Sequence, residues 1–256
     1  MNQDDRAPFV RALQPTRAFA YAPGEFVEQE SFMRAGEIRH LAEQAGVADG
    51  VSVLDLCCGI AGPGRFITRE LGCTYLGVDS SSGAIEIARE RAAGLPCRFE
   101  VARIPPTPSG PFDVVLLFET MLAFPDKETL LEEVSRVLGP GGRFAFTMEE
   151  GLPLTEAERH RMPEADTVWL TPLEEILMCL ERTGLRISWQ QDHSQSHRAV
   201  ADSLIDAFAD DGPAIAAKIG HRALDDLLAA HRLWSEWLRE GRVRKIAFVA
   251  ERTESH

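Results

Sequence analysis

From residue 51 onward, short apolar runs alternate with stretches whose apolar residues recur at helical spacing. That is the pattern of an α/β chain with a doubly wound sheet, strands inside and helices on both faces. The runs Ser52–Leu56, Thr74–Val78, Cys97–Val101, Phe112–Phe118, Arg143–Met148, Leu185–Gln191 and Val243–Ala250 predict seven strands. Between them, Leu130, Leu131, Val134, Val137 and Leu138 form one helical face, which the breaker Gly139-Pro140-Gly141-Gly142 should end. A second helix should open at Thr171-Pro172-Leu173-Glu174, with threonine as N-cap, proline in the first turn and glutamate completing the box, and close near Gly184.

Three pieces stand outside this alternation, residues 1–50, Glu149–Leu170 and a helical segment of about 198–240, and the chain divides into a leading lid segment (1–45), a cofactor-binding core (46–150) and a closing part (151–256) that adds cap elements and completes the sheet. Within the closing part, a helical insertion spans about 198–240, where Leu224, Leu227, Leu228, His231, Trp234 and Leu238 keep helical spacing. The insertion and lid together are expected to cap the strand ends.

Composition narrows the function. A formal charge of −13 repels polyanions, so nucleic acid is disfavoured as substrate. No apolar run reaches the roughly 20 residues of a membrane span. The polar start Met1-Asn2-Gln3-Asp4-Asp5 has no signal-peptide pattern, so no membrane partner and a cytoplasmic location are expected. The five cysteines include no Cys-x-x-Cys pair, which argues against a disulfide framework or structural zinc.

The sharpest signal is Val53-Leu54-Asp55-Leu56-Cys57-Cys58-Gly59-Ile60-Ala61-Gly62-Pro63-Gly64, an apolar strand that runs into a small-residue turn and then a helix. Small residues let a ligand touch the backbone, and the helix start offers unsatisfied N–H groups. Alone, the turn also approximates the G-x-G-x-x-G of nicotinamide enzymes. Asp79, 20 residues after Gly59, is placed to accept ribose hydroxyls in either kind of site. Asp55 separates them: a pyrophosphate would avoid this added negative charge, whereas the ammonium group of a methionine moiety would seek it. S-adenosylmethionine is therefore the expected cofactor.

At these residues the sequence resembles the class I S-adenosylmethionine-dependent methyltransferases, whose first motif is commonly an apolar strand, Asp, an apolar residue, then Gly-Cys-Gly-x-Gly. Cys57 replaces the first glycine here and Ala61 the third. The resemblance continues through Gly77-Val78-Asp79-Ser80-Ser81, Glu100-Val101-Ala102, Phe112-Asp113-Val114-Val115 and Leu130–Arg143, covering roughly 45–148. It implies a Rossmann-like seven-stranded sheet, mostly parallel with the last strand antiparallel. It also implies cofactor contacts from Asp55, Cys57, Gly59, Ala61, Asp79 and Ser80, with Glu100 and the Val101 amide at the adenine. Tyr21 and Gln29 of the leading segment would contact the cofactor as part of a lid. The Asp-Leu-Cys-Cys-Gly variant and the following Gly-Pro-Gly-Arg are similar to small-molecule members of the ubiquinone-biosynthesis-like and actinobacterial natural-product tailoring type. Phe118-Glu119-Thr120-Met121 is not the Asn/Asp-Pro-Pro-aromatic sequence of members that methylate nucleic-acid amino groups.

The expected function is methyl transfer to an O, N or C atom of a small-molecule acceptor, a specialised metabolite, by in-line displacement at the sulfonium methyl. The alternative is a protein of the same fold that binds S-adenosylmethionine yet catalyses a cyclisation or rearrangement. The activated methyl needs alignment more than covalent help. Where the acceptor must lose a proton, Glu119 and His193, near the carboxyl ends of strands, are the candidate catalytic residues, with Glu150 and His197 behind them. No metal is expected, because His193 and His197 on a strand exit need not converge and no third ligand is evident. A homodimer is left open.

Overall fold

The computed structural model describes residues 6–253; the polar start Met1–Asp5 and the last three residues, the outer ends of the expected lid and closing part, lie outside the described residues. Seven strands form one sheet: β1 (Ser52–Leu56), β2 (Thr74–Asp79), β3 (Cys97–Val101), β4 (Phe112–Leu117), β5 (Leu138–Glu150), β6 (Leu185–Asp192) and β7 (Arg244–Arg252). Their order is β3-β2-β1-β4-β5-β7-β6. The pairs from β3 to β5 are parallel, and β7 enters antiparallel between β5 and β6. The expected Rossmann-like sheet with its reversed last strand is the observed one.

Alternation along the strands builds a core on each face. Val53, Tyr75, Val114 and Leu116 pack with Ile38 and Leu41 of α2 (Ala35–Gln44), Ile67 of α3 (Gly62–Leu71) and Ile85 of α4 (Ser82–Arg91). Their neighbours Leu54, Leu76, Val115 and Leu117 turn the other way, onto α5 (Lys127–Val137) and α7 (Leu173–Arg182). Because both faces are covered, the inner strands read as nearly continuous apolar runs. The short α6 (Glu156–Arg161) precedes α7.

A third core belongs to the cap. Leu13 of α1 (Arg6–Phe19) and Tyr21 and Phe32 of the leading segment pack with Val200, Leu204 and Phe208 of α8 (Ser194–Asp210), Ile215 of α9 (Gly212–Ile219) and Leu224 of α10 (His221–Glu240). The leading segment and the insertion therefore share one packed core.

The structure differs from expectation in three places. Gly139–Gly142 does not lie between helix and strand: β5 begins at Leu138, which pairs with Phe112 before the register shifts, so the glycines form the irregular start of a strand. The α7 N-cap is Pro172 without a side-chain hydrogen bond, because Thr171 is drawn into a bridge with Glu150. The insertion begins at Ser194, earlier than expected, and breaks into three helices near Asp211 and Gly220.

Candidate active site

Sheet order reverses between β1 and β4, and a cavity lies at their carboxyl ends. Asp55, Cys57, Gly59, Asp79 and Glu119 all line it, and Gln29 faces it from the leading segment. Of the other expected contacts, Ala61 is buried in the turn, Ser80 is half-buried beside Asp79, and Glu100 and Val101 stand exposed at the open edge, with Val101 in register with Asp79. Tyr21 is not brought to the cavity. Its ring packs on Phe26 and its hydroxyl donates to the Ser31 carbonyl at 2.5 Å, so it fixes the lid from within. Gln29 is engaged in the same task, since its side chain bonds Val27 N, Glu25 O and Met33 O.

The turn is built differently from the sequence reading. Gly59 (φ +55) lines the cavity. Gly62 is small for another reason: a Cβ there would overlap the Val27 carbonyl, because the leading segment rests its backbone on the helix start. Gly64 makes room for the ring of Tyr75. Cys57 and Ala61, which replace the family's glycines, nevertheless hold left-handed backbone, with φ 58 and 55. Glu28 ion-pairs with both Arg65 of α3 and Arg91 of α4, which latches the lid across the turn.

Two carboxylates prepare the cavity. Asp79 accepts Gly59 N at 2.9 Å and Ser81 N at 2.8 Å, and so is held rigidly at the end of β2. Asp55 is buried and accepts the Tyr75 hydroxyl at 2.5 Å. Burial pushes its pKa up to about 7, with the Tyr75 hydrogen bond opposing the rise and the Asp79 charge adding to it. A buried acid short of a cationic partner, a ribose-height acid and a left-handed small-residue turn fit the ammonium, sugar and backbone-facing parts of S-adenosylmethionine.

Glu119 follows β4 in left-handed backbone (φ 53), a conformation a non-glycine residue adopts at some cost. Burial raises its pKa, but the charges of Lys245 and His197 outweigh that and hold the carboxyl low. Oε2 accepts Lys245 Nζ at 2.8 Å. Oε1 is buried without a hydrogen bond, with His197 Nδ1 3.5 Å away. Lys245 Nζ also reaches Glu149 at 2.5 Å, directly across the β5–β7 pair. Burial and the neighbouring Glu119 charge hold the Glu149 carboxyl up, against the pull of Lys245.

His193 is buried but does not line the cavity. It caps α8, and this changes the expectation about its pairing with His197. The two sit one helical turn apart and both face Glu37 of α2, with Nδ1 of His193 at 3.1 Å and Nε2 of His197 at 3.3 Å. One ligand atom from each of Glu37, His193 and His197 lies within 4.8 Å of the others, so the third partner that sequence could not supply does exist. The Glu37 carboxylate is already taken, however. It accepts from Arg34 N, Arg34 Nη2 and Ser196 Oγ as well as His193. Burial would raise its pKa, but the two histidines and Ser196 hold it low. The group places His197 between the carboxylates of Glu37 and Glu119.

Sequence reasoning missed Glu37, Glu149 and Lys245. A lysine and an acid at matching ends of two apolar strands are the signal, but only the antiparallel β5–β7 register shows that they meet.

Comparison with known proteins agrees with this geometry. Residues 53–142 match a family model described as a methyltransferase domain. Methyltransferase GfsG of Streptomyces halstedii is 36% identical over 120 residues, 44% of this chain and 43% of that protein. The chain spans less than half the length of that relative. Among solved structures, the cyclopropane synthase MmaA2 from Mycobacterium tuberculosis superposes with a TM-score of 0.83 at 16% identity, over 97% of this chain and 95% of the other. The [4+2]-cyclase SpnF gives 0.78 at 19% identity, over 98% and 96%. These likenesses show the fold, and no described helix is long and apolar enough to cross a membrane. Residues 53–142 are thus similar to a methyltransferase domain, the likeness that the first strand, its small-residue turn and Asp79 had implied.

Proposed function

We propose that this protein transfers a methyl group from S-adenosylmethionine to a small-molecule acceptor, a specialised metabolite. Bound in the cavity, S-adenosylmethionine supplies an electrophilic methyl on a positively charged sulfur. Asp55 would take its ammonium, Asp79 its ribose, and the backbone from Cys57 to Gly59 its amino-acid end. The cap keeps water out, and holding the acceptor in line with the sulfur–carbon bond can supply up to about 7–11 kcal/mol.

The observation that carries the acceptor reading is Glu119, a residue of the cavity lining whose Oε1 is buried and accepts no hydrogen bond. It would orient an acceptor O–H and take its proton as the new O–C bond forms and the S–C bond breaks. Lys245 and His197 keep this carboxylate ionised and aimed. His193 acts through Glu37 as a positioning residue and does not meet substrate.

The test is incubation with methyl-labelled S-adenosylmethionine and metabolite fractions, read by mass spectrometry for one added methyl and an equal amount of S-adenosylhomocysteine. Product without S-adenosylhomocysteine would transfer the case to the cyclisation or rearrangement reading.

A further inference from the structure

Lys245 is buried at the start of β7, and four separate elements converge on its Nζ. Glu119 beyond β4 and Glu149 in β5 supply carboxylates at 2.8 and 2.5 Å. Phe32 of the leading segment and Trp234 of α10 supply ring faces, with centroids at 5.2 and 5.3 Å. Two carboxylates and two aromatic faces around one nitrogen are the chemistry by which proteins recognise a ligand's ammonium group. Here the chain's own ammonium occupies the cage, one hydrogen bond from a residue that lines the cavity.

We propose that Lys245 fills an ammonium subsite at the acceptor end of the cavity and thereby restricts acceptors to molecules whose reacting end carries no positive charge. This rests on the methyl-transfer reading above. Glu119 has one charge to share. With Oε2 on Lys245, a substrate cation arriving at Oε1 would leave two cations on one buried carboxylate, a like-charge arrangement that low dielectric penalises. A neutral hydroxyl donates to Oε1 without that penalty. Glu149 does not relieve the conflict, since its other oxygen is buried without a partner and its carboxyl is held toward the protonated form.

The experiment compares n-butylammonium chloride with n-butanol on wild type and Lys245→Ala, with and without S-adenosylhomocysteine, following intrinsic tryptophan fluorescence and thermal midpoint against equal sodium chloride. Lys245→Ala should melt lower than wild type, be restabilised by n-butylammonium alone, and bind it at least about tenfold more tightly than wild type does. Butanol should not distinguish the two proteins. If Lys245→Ala does not fold, Lys245→Ser combined with Glu149→Gln still leaves the cage vacant with Glu119 as its carboxylate and carries the same comparison. Equal n-butylammonium affinity in wild type and a folded variant overturns the proposal. Failure of wild type to bind S-adenosylhomocysteine overturns the methyl-transfer reading instead, and the alkylammonium result then judges the subsite alone.

Discussion

Cofactor binding should be coupled to a proton, because Asp55 is buried with a pKa raised to about 7. In the empty cavity the neutral carboxyl is favoured, while the cofactor's ammonium favours the carboxylate. Binding must therefore release a proton, and affinity falls as pH drops through the raised value. With that value near 7, about nine-tenths of a proton is released at about pH 6 and about a quarter at about pH 7.5. The affinity ratio between those conditions is about eightfold, or about 1.3 kcal/mol. S-adenosylhomocysteine carries the same ammonium without a reactive methyl and is the probe of choice. Titration calorimetry in buffers of different ionisation enthalpy reads both affinity and protons released. Asp55→Asn should bind more weakly and lose the pH dependence. Proton-neutral binding by wild type at about pH 6, or an unchanged slope in Asp55→Asn, would refute the assignment of Asp55 to the ammonium.

Other substitutions test the remaining construction. Asp79→Ala removes the acid that holds Gly59 N and Ser81 N as well as the proposed ribose contact, so S-adenosylhomocysteine affinity should fall by at least about 1–3 kcal/mol; unchanged affinity by calorimetry would count against the site. Cys57→Gly relieves left-handed backbone and should raise stability by about 1 kcal/mol in urea unfolding, whereas a lower midpoint would show that the thiol packs usefully. Gly62→Ala should displace the leading segment from the helix start, seen as faster proteolysis between Tyr21 and Phe32 and weaker cofactor binding. In Tyr75→Phe, losing the hydrogen bond should push the Asp55 carboxyl higher and move the pH dependence of S-adenosylhomocysteine binding upward.

Local pattern was enough for the sheet, because each strand and helix buries a face whose spacing is written in consecutive residues. The placement of Asp55 and Asp79 was legible for the same reason, as the first lies one residue from the end of β1 and the second ends β2. Distant packing was not. Gly62 lines the cavity but also seats the Val27 carbonyl, and Gly64 looks ligand-facing yet makes room for the Tyr75 ring. His193 and His197 were read on a strand exit, where they need not converge, and their conversion into a helix start supplied the missing geometry. Glu149 and Lys245 lie 96 residues apart, and nothing in either strand announces the other. The N-cap expected at Thr171 failed because a bridge to Glu150 competed for the same backbone.

The contact between Gly62 and the leading segment also constrains how molecules enter and leave. A roof whose main chain rests directly on the floor, pinned by one glutamate shared between two guanidinium groups, has no freedom to slide in shear. If a bound cofactor leaves past this roof, lifting it would break both ion pairs together. The departure rate should therefore quicken with ionic strength even though the ligand's own contacts are left untouched.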